Sequence, residues 1–127
     1  MTMPKILLAE DNELNRDMLS RRLQRRGYDV VIATDGEQAV AKSASEFPDL
    51  LLLDVGLPII DGLEVARRIR SNPQLSGLPI LGLSAHAMQG DKERALAAGC
   101  DDYDTKPVDI ERLLTKISHL LQTSHER

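Results

Sequence analysis

The sequence predicts an α/β fold with a doubly wound, five-stranded parallel sheet that carries helices on both faces. Short apolar runs alternate five times with segments whose apolar residues recur at helical spacing. The runs are continuous instead of alternating with polar residues, which is typical of strands buried on both faces. The length of 127 residues fits one domain with one sizeable core.

The first half of the chain predicts two strands and two helices. Residues 6–9 are a short apolar run and predict the first strand. A helix should follow and end near Gly27, because apolar residues recur before it at helical spacing: Leu14, Met18, Leu19 and Leu23. Residues 28–32 predict the second strand. Asp35 is a suitable N-cap for a second helix, which should run to about Glu46 because a proline follows shortly.

The middle of the chain predicts a third and a fourth strand. Residues 50–53 are four consecutive leucines and form the third strand, and residues 79–83 form the fourth. A helix between them is indicated by an apolar stripe at helical spacing: Leu63, Ala66 and Ile69.

The last part of the chain predicts two further helices and one strand. Residues 90–98 are rich in alanine and form a weakly amphipathic helix. Residues 100–104 are poor in strand-forming side chains, and we predict a fifth strand there from its position alone. Asp109 should cap the clearest amphipathic helix, whose apolar face is Ile110, Leu113, Leu114, Ile117, Leu120 and Leu121.

Composition and charge exclude several classes of partner. A net charge of −4 and the absence of tryptophan argue against a nucleic-acid surface. No apolar run reaches the roughly 20 residues of a membrane helix, and residues 6–9 are too short for a signal peptide. The single cysteine, Cys100, excludes a disulfide framework and is expected to be buried. We therefore expect a cytoplasmic protein without a nucleic-acid or membrane partner.

Five polar side chains are predicted to converge where strands end, which is the usual ligand site of such sheets. Glu10 and Asp11 end the first strand, Asp54 the third and Ser84 the fourth, and Lys106 follows the fifth. Three clustered carboxylates require a cation, and oxygen ligands without His or Cys favour Mg²⁺ over zinc. A lysine and a hydroxyl suit a phosphoryl group. The set is suited to phosphoryl transfer to an aspartate.

Four stretches in this order resemble the receiver domain of two-component response regulators, the CheY-like family: ILLAEDNELN, LLLLDVGLPIIDG, LGLSAHAM and YDTKP. The resemblance covers essentially the whole chain, so that residues 1–127 are expected to form one receiver domain. It implies a flavodoxin-like (βα)5 fold with strand order 2-1-3-4-5.

The resemblance also implies the ligands of a magnesium site. Asp54 would be the phosphoacceptor and a ligand of Mg²⁺, and Asp11 would bind the ion directly. Gly56 would contribute its backbone carbonyl, while Glu10 would act indirectly through water. Because Gly56 has no side chain at a position that often tunes hydrolysis in this family, the lifetime of the phosphorylated state is left open.

The same resemblance implies a phosphoryl-binding pair and a switch. Ser84 would hydrogen-bond the phosphoryl group, and Lys106 would pair with it. Ser84 would then move toward the phosphoryl oxygens, and Tyr103 would turn inward into the space behind it. The Lys106–Pro107 peptide bond would be cis.

The implied function is that of a phosphorylated signalling switch, not of an enzyme acting on a separate substrate. The phosphoryl group would come from a sensor histidine kinase or a histidine phosphotransfer protein, and the domain would promote its own phosphorylation and dephosphorylation. A downstream protein would bind the fourth helix, fifth strand and fifth helix. A monomer or weak dimer is expected.

The context of the domain has two interpretations. The last helix should end near Leu121, which leaves no room for an output domain before residue 127. The chain would then be a single-domain regulator, as the similarity of EDNELN and GDKER to DivK-like receivers indicates. Alternatively it is a receiver excised from a hybrid histidine kinase or larger regulator, as SAHAM indicates. The start at Met1 favours the first.

Two other functions compete with this one. A flavodoxin-like cofactor binder shares the strand order, but Glu10 and Asp11 would repel a phosphate placed after the first strand. A hydrolase is suggested by residues 82–86, which partly match a nucleophile elbow. The second glycine of that motif is missing, and His86 is too near Ser84 in sequence to act as its base.

Arginines crowd the first helix and have two interpretations: Arg16, Arg21, Arg22, Arg25 and Arg26. They form either a solvated face or a docking edge for an acidic partner beside the acceptor site.

Overall fold

The computed structural model describes residues 3–85 and 90–125, with side chains as far as residue 123. Its strands are β1 (Lys5–Ala9), β2 (Asp29–Ala33), β3 (Leu50–Asp54), β4 (Ile80–Ser84) and β5 (Asp102–Thr105). Its helices are α1 (Glu13–Arg25), α2 (Gly36–Ser45), α3 (Gly62–Ser71), α4 (Asp91–Ala98) and α5 (Ile110–His125). The strands are parallel in the order β2-β1-β3-β4-β5, which confirms the predicted fold.

The four leucines of β3 connect the two halves of the core, and each is 0% exposed. Leu51 and Leu53 pack in the cluster that contains the buried residues of α2, α3 and α4. Leu50 and Leu52 pack in the cluster formed with α1 and α5. Successive side chains of a strand point to opposite faces, so one strand supplies both clusters. Burying a leucine contributes about 2 kcal/mol, so these four side chains anchor β3 in both halves of the core.

Polar side chains cap α2 and α5 just before their apolar periodicity begins. Asp35 accepts a hydrogen bond from the Gln38 N–H at 2.8 Å, and Asp109 accepts one from the Arg112 N–H at 3.2 Å. Both predicted caps are therefore confirmed. Among the described residues, no helix combines the length and the apolar character needed to span a membrane.

β5 begins at Asp102, two residues after the predicted start of the fifth strand at residue 100. Basic residues of α5 neutralise its charged residues. Asp104 is 4% exposed, and the Arg112 guanidinium donates to its two carboxylate oxygens from Nε at 3.0 and 3.2 Å. Lys116 Nζ donates to the Tyr103 carbonyl at 2.6 Å. These contacts from another element outweigh the poor strand propensity of the segment.

Cys100 is a buried free thiol, as the sequence predicts, and is 5% exposed. Burial raises its pKa from the ordinary value of 9.0 to about 11. The folded state therefore disfavours the thiolate. The contribution of the protonated thiol to the free energy of unfolding is complete below pH 9 and is lost as pH rises through 11. The difference corresponds to roughly 2–3 kcal/mol.

We expect wild type to lose more stability between pH 9 and pH 11 than Cys100→Ala does. Urea unfolding at both pH values measures this difference, since lysines and tyrosines titrate alike in the two proteins. Equal losses in wild type and Cys100→Ala would contradict the assignment of this pH dependence to the thiol.

Candidate functional site

The sheet brings a glutamate, an aspartate and a lysine to one edge. Glu10 directly follows β1, and its N–H donates to the Ala33 carbonyl at 3.0 Å. Asp54 is the last residue of β3. Lys106 follows β5, and its N–H donates to the Ser84 carbonyl at 2.8 Å. Because all these strands are parallel, their carboxyl ends meet at the same edge.

Lys106 joins the two buried carboxylates. Its ammonium lies 2.7 Å from Glu10 Oε1 and 3.2 Å from Asp54 Oδ2. The other Asp54 oxygen, Oδ1, accepts a hydrogen bond from the Gly56 N–H at 3.0 Å. Glu10 is 1% exposed and Asp54 is 7% exposed, so both charges depend on these partners more than on water. The Asp54 carboxylate is therefore held from two sides.

The charges of this cluster are not balanced. Burial raises the pKa of Glu10, and its hydrogen bond with Asp54 raises it further, while Lys106 offsets only part of this increase. Burial lowers the pKa of Lys106, but the hydrogen bond to Glu10 and the charges of both carboxylates outweigh burial and raise it. The lysine therefore stays protonated between the two carboxylates.

The acidic residues fit a hard divalent cation. Glu10, Asp11 and Asp54 each offer one carboxylate oxygen, and these oxygens lie within 4.8 Å of one another. Asp11 is exposed, whereas its two neighbours are buried. Oxygen donors of this kind are the ligands that Mg²⁺ prefers. The Gly56 carbonyl as a further ligand and the water-mediated role of Glu10 stay predictions.

Ser84 and Tyr103 lie on one cavity of about 290 Å³. Asp54 pairs with Leu83 in the sheet, so Ser84 lies one residue farther along the neighbouring strand. Gly56, whose N–H donates to the Asp54 carboxylate, also lines the cavity. Ser84 is 4% and Tyr103 is 8% exposed, and the tyrosine belongs to the apolar cluster under α2, α3 and α4. Their switch roles stay predictions.

Arg16 has a local role that the sequence did not reveal. Its Nη1 donates to the backbone carbonyls of Glu10 and Asp11, each at 3.3 Å. The guanidinium therefore supports the turn that carries two of the acidic residues. The sequence signal for this role was the position of Arg16 in the first turns of α1, five residues after Asp11.

Two further predictions concern the ends of β4 and β5. The Lys106–Pro107 peptide bond is cis. His86, which the hydrolase alternative would require beside Ser84, lies outside the described residues.

Comparison with known proteins gives a family match. The model of the response regulator receiver domain matches residues 6–118. The chain is 41% identical over 121 residues to hybrid signal transduction histidine kinase I of Dictyostelium discoideum, covering 90% of this chain and 7% of that protein. It is 34% identical over 120 residues to the polar-differentiation response regulator DivK of Brucella anthropi, covering 94% and 98%. The chain thus spans a small part of the kinase and nearly all of the regulator.

A solved structure supports the same relationship. The receiver domain of sensor histidine kinase PA1611 from Pseudomonas aeruginosa superposes with a TM-score of 0.88 at 36% identity, covering 94% of this chain and 98% of that one. That structure contains a magnesium ion coordinated in its active-site cleft.

Proposed function

This chain belongs to the response regulator receiver domains of two-component systems, and we propose that its Asp54 accepts the phosphoryl group from a phosphohistidine. The observation that carries this proposal is the position of the Asp54 carboxylate. It ends the central strand, is held by Lys106 and the Gly56 N–H, and lies beside two further carboxylates. An aspartate that only capped a turn would not require an ion pair with a partly buried lysine.

In the proposed transfer an Asp54 carboxylate oxygen attacks phosphorus. An O–P bond forms as the P–N bond to histidine breaks, and the bonding electron pair stays on the imidazole nitrogen. Asp11, Asp54 and the Gly56 carbonyl would hold Mg²⁺, with Glu10 acting through water; the bound ion would offset charge on the phosphoryl oxygens. Lys106 contributes a positive charge next to the Asp54 carboxylate.

Phosphorylation would then change the packing near the site. The added phosphoryl charge would attract the Ser84 hydroxyl and Lys106, and Tyr103 would adjust in the cavity that it shares with Ser84. Phosphorylation would thereby shift the population between two packings, and a partner protein would bind α4, β5 and α5 in one of them. A domain of this kind promotes its own phosphorylation and dephosphorylation.

The proposed donor is a sensor histidine kinase or a histidine phosphotransfer protein. We also propose that residues 1–127 form one receiver domain. The family match over residues 6–118 supports this. We propose a cytoplasmic location, which the free thiol of Cys100 supports. The alternative of a receiver within a longer kinase is consistent with the kinase relative.

Removing magnesium is expected to suppress phosphorylation. With acetyl phosphate and Mg²⁺ the chain should take up phosphate on Asp54, and EDTA should slow this uptake about a hundredfold or more, because the carboxylates would then repel the donor. Phosphate-affinity gels and intact mass measure uptake, since the chain has no tryptophan to report it.

Adding Mg²⁺ back after EDTA is the control and should restore uptake. Borohydride reduction followed by peptide mapping locates the acyl phosphate. Uptake that is indifferent to EDTA, or phosphate on another residue, would overturn the assignment.

A further inference from the structure

The amino-terminal half of α4 borders a cavity. Arg94 and Ala95 line the space of about 290 Å³ that Ser84 and Tyr103 also line. The helix follows Gly90, which has a left-handed backbone with φ +94° and no side chain to cap the first N–H groups. Close-packed interiors resist displacement, whereas a helix beside a cavity has room to shift. The first half of α4 can therefore respond to a change at Ser84.

The carboxyl-terminal end of α4 is held by one side chain, Arg70 of α3. Its guanidinium donates from Nε to the Gly99 carbonyl at 2.8 Å and from Nη2 to Asp101 Oδ2 at 2.6 Å. Nη1 donates to the Leu78 and Ser76 carbonyls at 2.7 and 3.1 Å. Gly99 is the C-cap of α4, Asp101 directly precedes β5, and Leu78 lies before β4. Arg70 therefore joins the end of α4 to the starts of two strands.

The geometry around Arg70 allows little freedom. Gly99 has φ +122°, and a Cβ there would lie 2.5 Å from Arg70 Cγ, so the arginine stem packs directly against the glycine backbone. Asp101 Oδ2 also accepts the Ile80 N–H at 2.8 Å, and the Asp101 N–H donates to the Ile80 carbonyl at 2.8 Å. A guanidinium is a rigid planar donor, so its acceptors must keep their relative positions.

These contacts lie at the end of the sheet that is opposite the acceptor. Ile80 begins β4 and Ser84 ends it, and a strand of this length separates its ends by about 13 Å. Tyr103 is two residues beyond Asp101, so the β5 side of the cavity starts at a residue that Arg70 holds. A change at Ser84 thus acts on α4 where the helix borders the cavity, while the other end of the helix is held.

We propose that Arg70 is a positioning residue for the phosphorylation switch: it makes the carboxyl end of α4 a fixed pivot, so that phosphorylation of Asp54 displaces mainly the first turn of this helix. This inference rests on the proposed function of Asp54. A helix that is held at one end rotates about that end, so a small displacement near Ser84 reorients the exposed face of α4.

Arg70→Met removes the pivot, because methionine keeps an apolar stem against Gly99 but has no donor for the four oxygens. Its melting temperature should fall by roughly 5–10 °C. Arg68→Met is the matched control, since Arg68 lies on the same helix and pairs with Glu64 at the surface. Its melting temperature should stay within about 1–2 °C of wild type. Arg70→Lys keeps the charge and one donor group and should give intermediate results.

The measurement is made on the full chain with beryllofluoride and Mg²⁺. Beryllofluoride binds an aspartate carboxylate as a phosphoryl analogue, and NMR follows the chemical shift of each backbone amide. In wild type and Arg68→Met, the amides of residues 91–94 should change at least about three times as much as those of residues 98–101. In Arg70→Met the two groups should change about equally, because the far end of α4 is no longer held.

A purely structural role of Arg70 predicts a different pattern. Arg70→Met would then melt at a lower temperature but keep the wild-type distribution of shift changes, and this result would overturn the pivot. Equal changes at both ends of α4 in wild type, or no change in α4 at all, would overturn it as well. If Arg70→Met does not fold, the same comparison is made with Arg70→Lys, and a wild-type distribution there would overturn the proposal.

Acetyl phosphate separates an effect on α4 from an effect on the acceptor site. It should load Arg70→Met within about twofold of the wild-type rate, because Arg70 and Asp54 lie near opposite ends of the sheet. A larger loss would show that Arg70 acts on the acceptor site and would contradict the pivot. Wild type whose amides around Asp54 do not respond to beryllofluoride, and which takes no phosphate from acetyl phosphate, would instead refute the function of Asp54.

Discussion

Replacing Asp54 by asparagine is expected to abolish phosphate uptake and to leave the fold at least as stable as wild type. An amide cannot form the acyl phosphate, so the loss should be complete. The fold should gain roughly 1 kcal/mol without added metal, because Lys106 keeps its shorter contact with Glu10 while one buried negative charge disappears.

Phosphate-affinity gels measure the loss of uptake, and urea unfolding measures the change in stability. Asp29→Asn is the matched control, because Asp29 is an exposed aspartate at the amino-terminal end of β2. It should take up phosphate as wild type does. Phosphate on Asp54→Asn, or a variant that fails to fold, would contradict the assigned role.

Replacing Lys106 by methionine is expected to lower the free energy of unfolding by about 3 kcal/mol in EDTA. Glu10 and Asp54 are nearly inaccessible to water and would lose the cation that they share. Mg²⁺ should return part of this stability, because an ion that binds the folded state stabilises it by mass action. The gain from Mg²⁺ should exceed that of wild type.

Urea unfolding with EDTA and with Mg²⁺ measures both effects. Lys92→Met removes an exposed lysine of α4 and should lose less than about 0.5 kcal/mol. Equal losses in the two variants would show that the buried pairs contribute no special stability. A gain from Mg²⁺ no larger than that of wild type would contradict the ion's proposed place beside these carboxylates.

The sequence predicts the sheet and the edge where the site lies because local signals agree there. The four leucines of β3 can be buried only from both faces, and Asp54 directly follows them. Asp35 and Asp109 each precede an apolar period that begins a helix. These features depend on neighbours in the sequence, so they are visible without the fold.

Other features depend on residues that are distant in the sequence. The charge of Asp104 is acceptable in β5 because α5 supplies Arg112. Lys106 contacts Glu10 more closely than Asp54, which the strand-end pattern alone does not distinguish. The left-handed backbone at Ile59 reflects packing of its loop against Gly36 and not the local preference of an isoleucine.

The contact between Lys106 and Glu10 also affects when the site forms during synthesis. The two residues are separated by 96 positions, so closing this contact requires nearly the whole domain. A nascent chain that has emerged only as far as β4 holds Glu10, Asp11 and Asp54 without their lysine. We therefore expect the complete cluster of Glu10, Asp54 and Lys106 to form only after β5 has been synthesised.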